Sequence, residues 1–313
     1  MEVQSVYLPR SASTQLKFFL ALSRTPHGLL DMATPALTAL LWYGAIPPLR
    51  IVFLGLITAF AGYTAVYALN DLVDYRVDKK RFEKGLFLEA NDDLDSVFVR
   101  HPLAHGFLSF KMALIWALAW GILAVIGAYM LNPFCLVIFV GGCLLETVYC
   151  LLWRSSTLKI IFSGAVKTSG GLAAVFAVDP NPSIPLLFLL FLWLFFWEVG
   201  GQNLPNDWAD IEEDRKLQAA TIPVCFGPLC ANGIIFSSLI LAVLLNGILM
   251  GLSPVGAEFF CVLASLNVGF YLLLLPAYQL LKTKGRPEAL ILFNRASYYP
   301  LSLLTVVVIA IMI

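Results

Sequence analysis

Nine long apolar stretches constrain this chain more than any other feature of its sequence. They run over residues 18–43, 51–72, 110–131, 133–153, 158–178, 184–206, 230–251, 255–280 and 291–313. A helix needs about 20 mainly apolar residues to cross the hydrocarbon core of a bilayer. Turn-forming pairs such as Pro47-Pro48, Asn132-Pro133 and Ser253-Pro254 separate the stretches. The pattern predicts one all-α polytopic membrane domain over residues 1–313, a bundle of nine transmembrane helices.

The composition agrees with a chain that lies mostly in lipid. Hydrophobic residues make up 60% of it and charged residues only 13%, whereas soluble domains carry about 25% charged residues. This balance excludes a soluble enzyme, and so much apolar material excludes a disordered chain. The formal net charge is zero, which argues against a nucleic-acid partner because such proteins carry a basic excess. The expected surroundings are the lipid bilayer.

The basic residues predict the orientation of the chain. With nine spans, all 20 Lys and Arg residues except Arg50 fall on the side of the N-terminus. Basic residues favour the cytoplasmic side of a membrane, so the N-terminus and the loops on its side are predicted to be cytoplasmic. The long polar segments, about 70–109 and 206–229, lie on that side and are expected to form loops that cap the bundle. The chemistry is expected at this face.

Each long polar segment begins with the same acidic pattern, N-D-x-x-D-x-x-x-D. Positions i, i+3 and i+7 of a helix share one face, so each pattern predicts a stripe of carboxylates. Two such stripes, four spans apart, are expected to face each other across a central cavity. A solvated helix end explains one acidic run well, but the repeat at one membrane depth favours a metal site. The motif residues are Asn70, Asp71, Asp74, Asp78, Asn206, Asp207, Asp210 and Asp214.

Mg²⁺ is the expected metal, because it prefers oxygen ligands and binds through carboxylates together with substrate phosphates. All eight motif residues are candidate ligands, and Asp74, Asp78, Asp210 and Asp214 are the candidate catalytic carboxylates. Basic side chains follow both motifs and fit a diphosphate. The candidate contacts there are Lys79, Arg81, Arg215 and Lys216.

The paired motifs resemble those of the UbiA superfamily of intramembrane prenyltransferases. The segment from Asp207 to Pro223 is similar to the second motif of that family, including its Thr-Ile-Pro end. Arg24-Thr25-Pro26 resembles the Arg-x-Pro of its first helix, and residues 101–106 and 296–301 resemble two further signatures. The resemblance implies Mg²⁺-dependent transfer of a prenyl group from a prenyl diphosphate to a small, commonly aromatic acceptor. Such reactions serve quinone or lipid biosynthesis.

The resemblance also suggests roles for single residues. Lys159 is a candidate diphosphate contact, and Arg24, Arg100, Tyr149 and Glu198 are candidates for the acceptor or the diphosphate. Glu198 lies within a predicted span, as do Asp31 and Glu146, and ionisable groups there mark functional sites.

Two features depart from the family pattern. His101 stands where the family has Arg, although Arg100 is adjacent. The acidic insert that includes residues 91–95 forms either a cap over the site or a surface loop.

Two other functions share part of this evidence. A terpene cyclase of the same superfamily would ionise the same diphosphate with identical motifs and capture the cation internally. A transporter is the less favoured alternative, since carriers place charged residues near the bilayer midplane at broken helices, whereas both acidic motifs are predicted at helix ends.

Overall fold

The computed structural model describes residues 12–85, 97–255 and 259–313, and the regular secondary structure of these ranges is helical. The first seven helices are α1 (Ala12–Leu22), α2 (Thr25–Asp31), α3 (Ala33–Tyr43), α4 (Leu49–Glu83), α5 (Phe110–Leu131), α6 (Pro133–Leu152) and α7 (Lys159–Val178). The others are α8 (Ile184–Trp197), α9 (Leu204–Ala209), α10 (Ile211–Leu217), α11 (Ile222–Leu252), α12 (Phe259–Gly269), α13 (Leu275–Thr283), α14 (Arg286–Ser297) and α15 (Tyr299–Met312). Two π-helical segments, Glu198–Asn203 and Phe270–Leu274, join α8 to α9 and α12 to α13.

The predicted helical membrane bundle is confirmed, with one difference in the count of spans. Within the described ranges, eight helical segments are long and apolar enough to cross a membrane. The predicted span over 18–43 is not a continuous helix, because it breaks at Arg24, whose φ is 42°, and again at Met32. Pro26 and Pro35 lie just after these breaks, and proline cannot donate the backbone hydrogen bond that a helix interior requires.

The broken segment still runs from one end of the bundle to the other. Arg24 lies beside Asp71 of α4, whereas at the opposite end the indole of Trp42 donates a hydrogen bond to Asp179. Ser253 donates a hydrogen bond to the carbonyl of Leu41 at that same end. The two short helices α2 and α3 therefore take the place of the expected first span.

Both predicted cap loops are largely helical in the described residues. The first motif belongs to α4, which continues through it to Glu83, and the second motif lies on α9 and α10. The segment that follows starts α11, which bends at Gly227 (φ 79°) before Pro228. The acidic insert over residues 91–95 lies outside the described residues.

Close helix packing fixes the position of α7 in the bundle. A Cβ atom on Gly171 would lie 2.6 Å from Leu194 of α8, and one on Gly164 would lie 2.4 Å from Phe195. Small residues let helices approach closely in a membrane, where packing rather than the hydrophobic effect drives association. α7 is therefore held directly against α8 and the π-helical segment that follows it.

Candidate active site

The first motif lines a cavity of about 570 Å³ that lies among α2, α4, α6, α7 and the segment after α8. Asn70, Asp74 and Asp78 are in its wall, and residues four apart share a helix face. Asp71 lies outside this wall, because its carboxylate is buried against Arg24 (Nη2–Oδ1 3.8 Å) and His101 (Nδ1–Oδ1 3.4 Å). The predicted stripe of Asp71, Asp74 and Asp78 is thus corrected at its first residue, because Asn70 and not Asp71 faces the cavity.

The second motif reaches the same cavity through a broken helix rather than a continuous one. Asp210 has φ −97° and ψ 9° and separates α9 from α10. The four motif residues that line the cavity are Asn206, Asp207, Asp210 and Asp214. The three predicted carboxylates of the second stripe therefore share the cavity, but a bend at Asp210 places them there and not the regular i, i+3, i+7 helix that was expected.

Basic side chains lie between the two motifs. Lys159, at the start of α7, is buried and its Nζ is 2.8 Å from Oδ1 of Asp207. The guanidinium of Arg81 is 3.2 Å from Asp214 and 3.8 Å from Asp78. Arg81 therefore joins the end of the first motif directly to the end of the second, and the two acidic clusters meet in space as expected.

Burial and these charges change the titration of groups at the mouth of the cavity. Burial raises the pKa of Asp214 to about 7, and the neighbouring Asp207 carboxylate adds to the effect, while Lys159 and Arg81 oppose it. Burial alone would lower the pKa of His101, but the Asp78 and Asp71 carboxylates outweigh it and raise that pKa to about 9. His101 is therefore a cation near neutral pH.

His101 stands where the family pattern has an arginine, and it lies against two carboxylates of the first motif. Its Nδ1 is 3.0 Å from Oδ2 of Asp78 and 3.4 Å from Oδ1 of Asp71. It has a positive φ of 50°, so the backbone turns sharply there. The adjacent Arg100 also lines the cavity, so both residues of this pair contribute positive charge at the mouth.

A second polar layer lies deeper, inside the membrane-spanning part of the bundle. Lys167 of α7 donates to Asp31 at 2.7 Å, and the Tyr67 hydroxyl donates to the same carboxylate. Asn70 donates to Glu146 of α6 at 2.6 Å. The three intramembrane acids that the sequence indicated, Asp31, Glu146 and Glu198, all line the cavity.

A hydrogen-bonded chain connects Glu198 to Tyr149 in this layer. Ser163 donates to Oε1 of Glu198 at 2.8 Å, and Asn203 donates to the Ser163 hydroxyl at 3.0 Å and to the Tyr149 hydroxyl at 3.2 Å. The Tyr149 ring also lies 5.3 Å from Nζ of Lys159. Tyr149 and Glu198, both candidate site residues, are thus parts of one network.

Three of the expected diphosphate contacts lie away from the cavity. Arg215 has 58% of its side chain exposed and pairs with Glu212 on its own helix. Lys216 and Lys79 are also exposed, and none of the three lines the cavity. They follow the acidic motifs in sequence, but helix periodicity turns them toward the surface.

Sequence reasoning missed Lys167, Ser163 and Asn203 as cavity residues. Lys167 was counted among the cations of the cytoplasmic side, whereas it lies partly buried within α7, where it pairs with Asp31. A lysine inside an apolar stretch is itself a signal of function. Ser163 and Asn203 carry no comparable signal, because uncharged polar residues are common within membrane helices.

Below the polar layers the cavity is lined by small and apolar residues. It follows α4 away from the motifs past Gly62, Ala59 and Gly55, and α7 past Ala173 and Ala177. It reaches Ile46 and Pro47 at the opposite end of the bundle. The cavity is therefore suited to a molecule with a charged head and a long apolar tail.

These features define a multi-pass integral membrane protein whose charged site, built by two acidic motifs, opens into an apolar channel. The chain belongs to the UbiA prenyltransferase family, whose sequence profile matches residues 32–298. It is accordingly a membrane prenyltransferase, and the family expected from its motifs is confirmed.

Known relatives extend over most of the chain. The digeranylgeranylglyceryl phosphate synthase of Thermococcus sibiricus is 24% identical over 277 residues, covering 88% of this chain and 90% of the relative. A UbiA homologue from Aeropyrum pernix K1 shares the fold with a TM-score of 0.70 at 18% identity, covering 91% and 97% of the two chains. A UbiA homologue from Archaeoglobus fulgidus, bound to DMAPP and Mg²⁺, has a TM-score of 0.68 at 18% identity, covering 94% and 99%.

Proposed function

We propose that this enzyme uses Mg²⁺ to transfer a prenyl group from a prenyl diphosphate to a hydroxyl-bearing lipid precursor, releasing diphosphate. The observation that carries the proposal is the meeting of both acidic motifs at one end of an apolar intramembrane channel. A prenyl diphosphate has the same division, with a charged head and an apolar tail. The UbiA homologue from Archaeoglobus fulgidus, solved with DMAPP or GPP and Mg²⁺, supports this choice of donor.

The residues at the mouth fit Mg²⁺ because their donor atoms are hard oxygens. Asn70, Asp74, Asp78, Asn206, Asp207, Asp210 and Asp214 line the cavity and would hold the metal. When bound, Mg²⁺ neutralises negative charge on the diphosphate. Asp71 is not included, because it lies outside the cavity wall, where it pairs with Arg24 and His101.

The basic residues of the site have a separate task in this mechanism. Arg81 and Lys159 lie between the motifs, and Arg24 and Arg100 line the same cavity. As the C–O bond to the prenyl group breaks, its electron pair leaves with the diphosphate, and fixed positive charges stabilise that leaving group. The apolar channel below keeps water from the allylic carbon. The Tyr149 ring, close to Lys159, contributes a π face to this position.

The relatives favour a glyceryl phosphate acceptor over the aromatic acceptor that the motifs alone suggested. Three similar proteins are digeranylgeranylglyceryl phosphate synthases, from Thermococcus sibiricus, Pyrococcus abyssi and Pyrococcus furiosus. We therefore place the enzyme in lipid rather than quinone biosynthesis. The charge asymmetry of the sequence supports an N-terminus and a site mouth on the cytoplasmic side.

Diphosphate release by purified protein tests the proposal. Asp74→Ala and Asp210→Ala are expected to abolish Mg²⁺-dependent release from geranylgeranyl diphosphate while the protein still inserts into membranes. Arg215→Ala is the matched control, since that charge lies outside the cavity. Full release by both aspartate variants would contradict the metal site.

Product analysis separates transfer from cyclisation. The wild-type enzyme is incubated with geranylgeranyl diphosphate and with geranylgeranylglyceryl phosphate or 1,4-dihydroxy-2-naphthoate as acceptor, and the products are identified by mass spectrometry. We expect prenylated geranylgeranylglyceryl phosphate. A cyclic hydrocarbon formed without any acceptor would identify a cyclase instead.

A further inference from the structure

One carboxylate oxygen in the deeper polar layer has no partner in the protein. Glu198 is 7% exposed and lines the cavity, and its Oε1 accepts the Ser163 hydrogen bond. Its Oε2 is buried and accepts no hydrogen bond within the described residues. A buried carboxylate that is incompletely hydrogen-bonded costs folding free energy. This oxygen can therefore accept a hydrogen bond from a donor outside the chain.

A second acceptor atom in the same network is also unused. The amide NH₂ of Asn203 donates hydrogen bonds to Ser163 and Tyr149, while its buried Oδ1 has no partner among the described residues. The other two intramembrane acids differ, since Asp31 is paired with Lys167 and Glu146 accepts from Asn70. Glu198 and Asn203 thus each have one unpartnered acceptor atom, and both form a hydrogen bond with Ser163.

The backbone brings these two residues to one side of the helix. They are five residues apart, and in a regular α-helix such residues point about 140° away from each other. The π-helical segment Glu198–Asn203 has a wider turn with i→i+5 hydrogen bonds, which returns the side chain at i+5 toward the face of residue i. Gly200 and Gly201 permit this wide turn to pack, because a Cβ on either would lie 2.9 Å from α11 or α14.

The pair of acceptors lies next to the site that holds the diphosphate. Ser163 is four residues, or about 6 Å, below Lys159 along α7, and Lys159 pairs with Asp207 of the second motif. A prenyl diphosphate whose head contacts Lys159 therefore brings its first carbon toward the level of Ser163 and Glu198.

From these observations we infer that Glu198 and Asn203 bind the acceptor through its hydroxyl group, and that Glu198 is the catalytic base. The inference rests on the proposed prenyl transfer and names its substrate class, an alcohol or phenol whose O–H points to Glu198. The hydroxyl oxygen forms a bond to the first prenyl carbon, and the bond from that carbon to the diphosphate breaks, its electron pair leaving with the diphosphate. The hydroxyl proton passes to Oε2 of Glu198.

Glu198→Gln tests this role, because it keeps the shape of the side chain and removes its charge. The assay uses full-length enzyme with Mg²⁺ and geranylgeranyl diphosphate, and geranylgeranylglyceryl phosphate or 1,4-dihydroxy-2-naphthoate as the acceptor probe. General bases contribute about 10²- to 10⁴-fold to rate, so kcat for transfer is expected to fall by that factor. The KM for geranylgeranyl diphosphate is expected to stay within about twofold of the wild-type value, because the change removes a transition-state interaction and leaves the diphosphate contacts in place.

Asn246→Ala is the matched control, since it truncates another buried polar residue, on α11 and away from the cavity. It is expected to leave both kcat and KM close to those of the wild type. A second measurement needs no variant: the O-methyl ether of geranylgeranylglyceryl phosphate should compete with the acceptor at least about tenfold more weakly than the parent alcohol does, because the ether lacks the donor.

The outcomes separate this inference from the proposal it rests on. If wild-type enzyme releases no diphosphate from geranylgeranyl or geranyl diphosphate, prenyl transfer itself is refuted and the role of Glu198 with it. If diphosphate is released but neither acceptor is prenylated on its hydroxyl oxygen, or if Glu198→Gln keeps the wild-type kcat for transfer, only the inference about Glu198 and the hydroxyl is overturned. Equal competition by the methyl ether would overturn it as well.

Discussion

We expect the channel along α4 to limit the length of the prenyl chain, because small residues in its wall leave room for that chain. Gly62 is 12 residues before Asp74 and Gly55 is 19 residues before it, which correspond to about 18 Å and about 28 Å along a helix. With carbon–carbon bonds of about 1.5 Å, an isoprene unit extends about 5 Å, so a geranyl chain spans about 10 Å and a geranylgeranyl chain about 20 Å. Gly62 lies near the end of the longer chain and well beyond the shorter one.

Gly62→Leu is therefore expected to discriminate between the two donors. A Cβ at this position would lie 3.4 Å from the Phe139 ring, so the substitution is accommodated and its branched end narrows the channel. Overpacking of this kind costs about 1–3 kcal/mol, or roughly 5- to 150-fold. The kcat/KM for geranylgeranyl diphosphate should fall by this factor, while that for geranyl diphosphate stays within about twofold, as measured by diphosphate release from each donor.

Gly55→Leu is the control on the same helix. A Cβ there meets no atom within 4 Å, and the position lies beyond the reach of a geranylgeranyl chain, so both donors should retain wild-type kcat/KM. The reasoning is refuted if Gly62→Leu slows both donors equally, or if Gly55→Leu discriminates as strongly as Gly62→Leu does.

Three further predictions follow from other contacts. Arg81→Ala should lower kcat/KM for diphosphate release by about 10²-fold or more, because a fixed charge at a developing anion contributes on that scale. An effect no larger than that of Arg215→Ala would exclude Arg81 from the site. Lys159→Met leaves Asp207 buried without its partner, so the free energy of unfolding should fall by about 3–5 kcal/mol; denaturation in detergent measures this, and the added change Asp207→Asn should restore part of the loss. Gly44→Ala places a Cβ 2.5 Å from Pro254 at a φ of 78°, so its thermal midpoint should drop by several degrees, and an unchanged midpoint would show that α3 and Pro254 separate readily.

The sequence was most informative where one physical requirement acts along a continuous stretch. Long apolar segments must be helical in a membrane, because every backbone polar group has to be satisfied within the chain. The repeated acidic motifs likewise marked both walls of the site, since carboxylates concentrated at one depth need a compensating cation. The predicted ends of the helices were less accurate. α4 continues 11 residues beyond the predicted end at residue 72, because charged residues continue a helix into water as apolar residues continue it in lipid.

Properties that depend on the direction of a side chain could not be predicted from the sequence in the same way. Arg81 and Arg215 both follow an acidic motif closely, yet only Arg81 faces the other motif. The sequence grouped Lys167 with the cations of the cytoplasmic side, whereas the packing of α7 places it inside the bundle against Asp31. Asp71 and Asn70 are neighbours, and one step of 100° around the helix decided which of them faces the cavity.

The class of fold, the position of both acidic motifs and the kind of chemistry they support follow from the amino-acid pattern, because hydrophobicity and charge act locally along the chain. Which residues share the cavity depends on how the helices pack and where they break. The bend at Asp210, the π turn over Glu198–Asn203 and the break at Arg24 each reorient side chains by an amount that regular periodicity does not predict. Those three irregularities bring Asp214, Glu198 and Arg24 to one cavity, since a site between helices requires side chains from different elements to converge on one point.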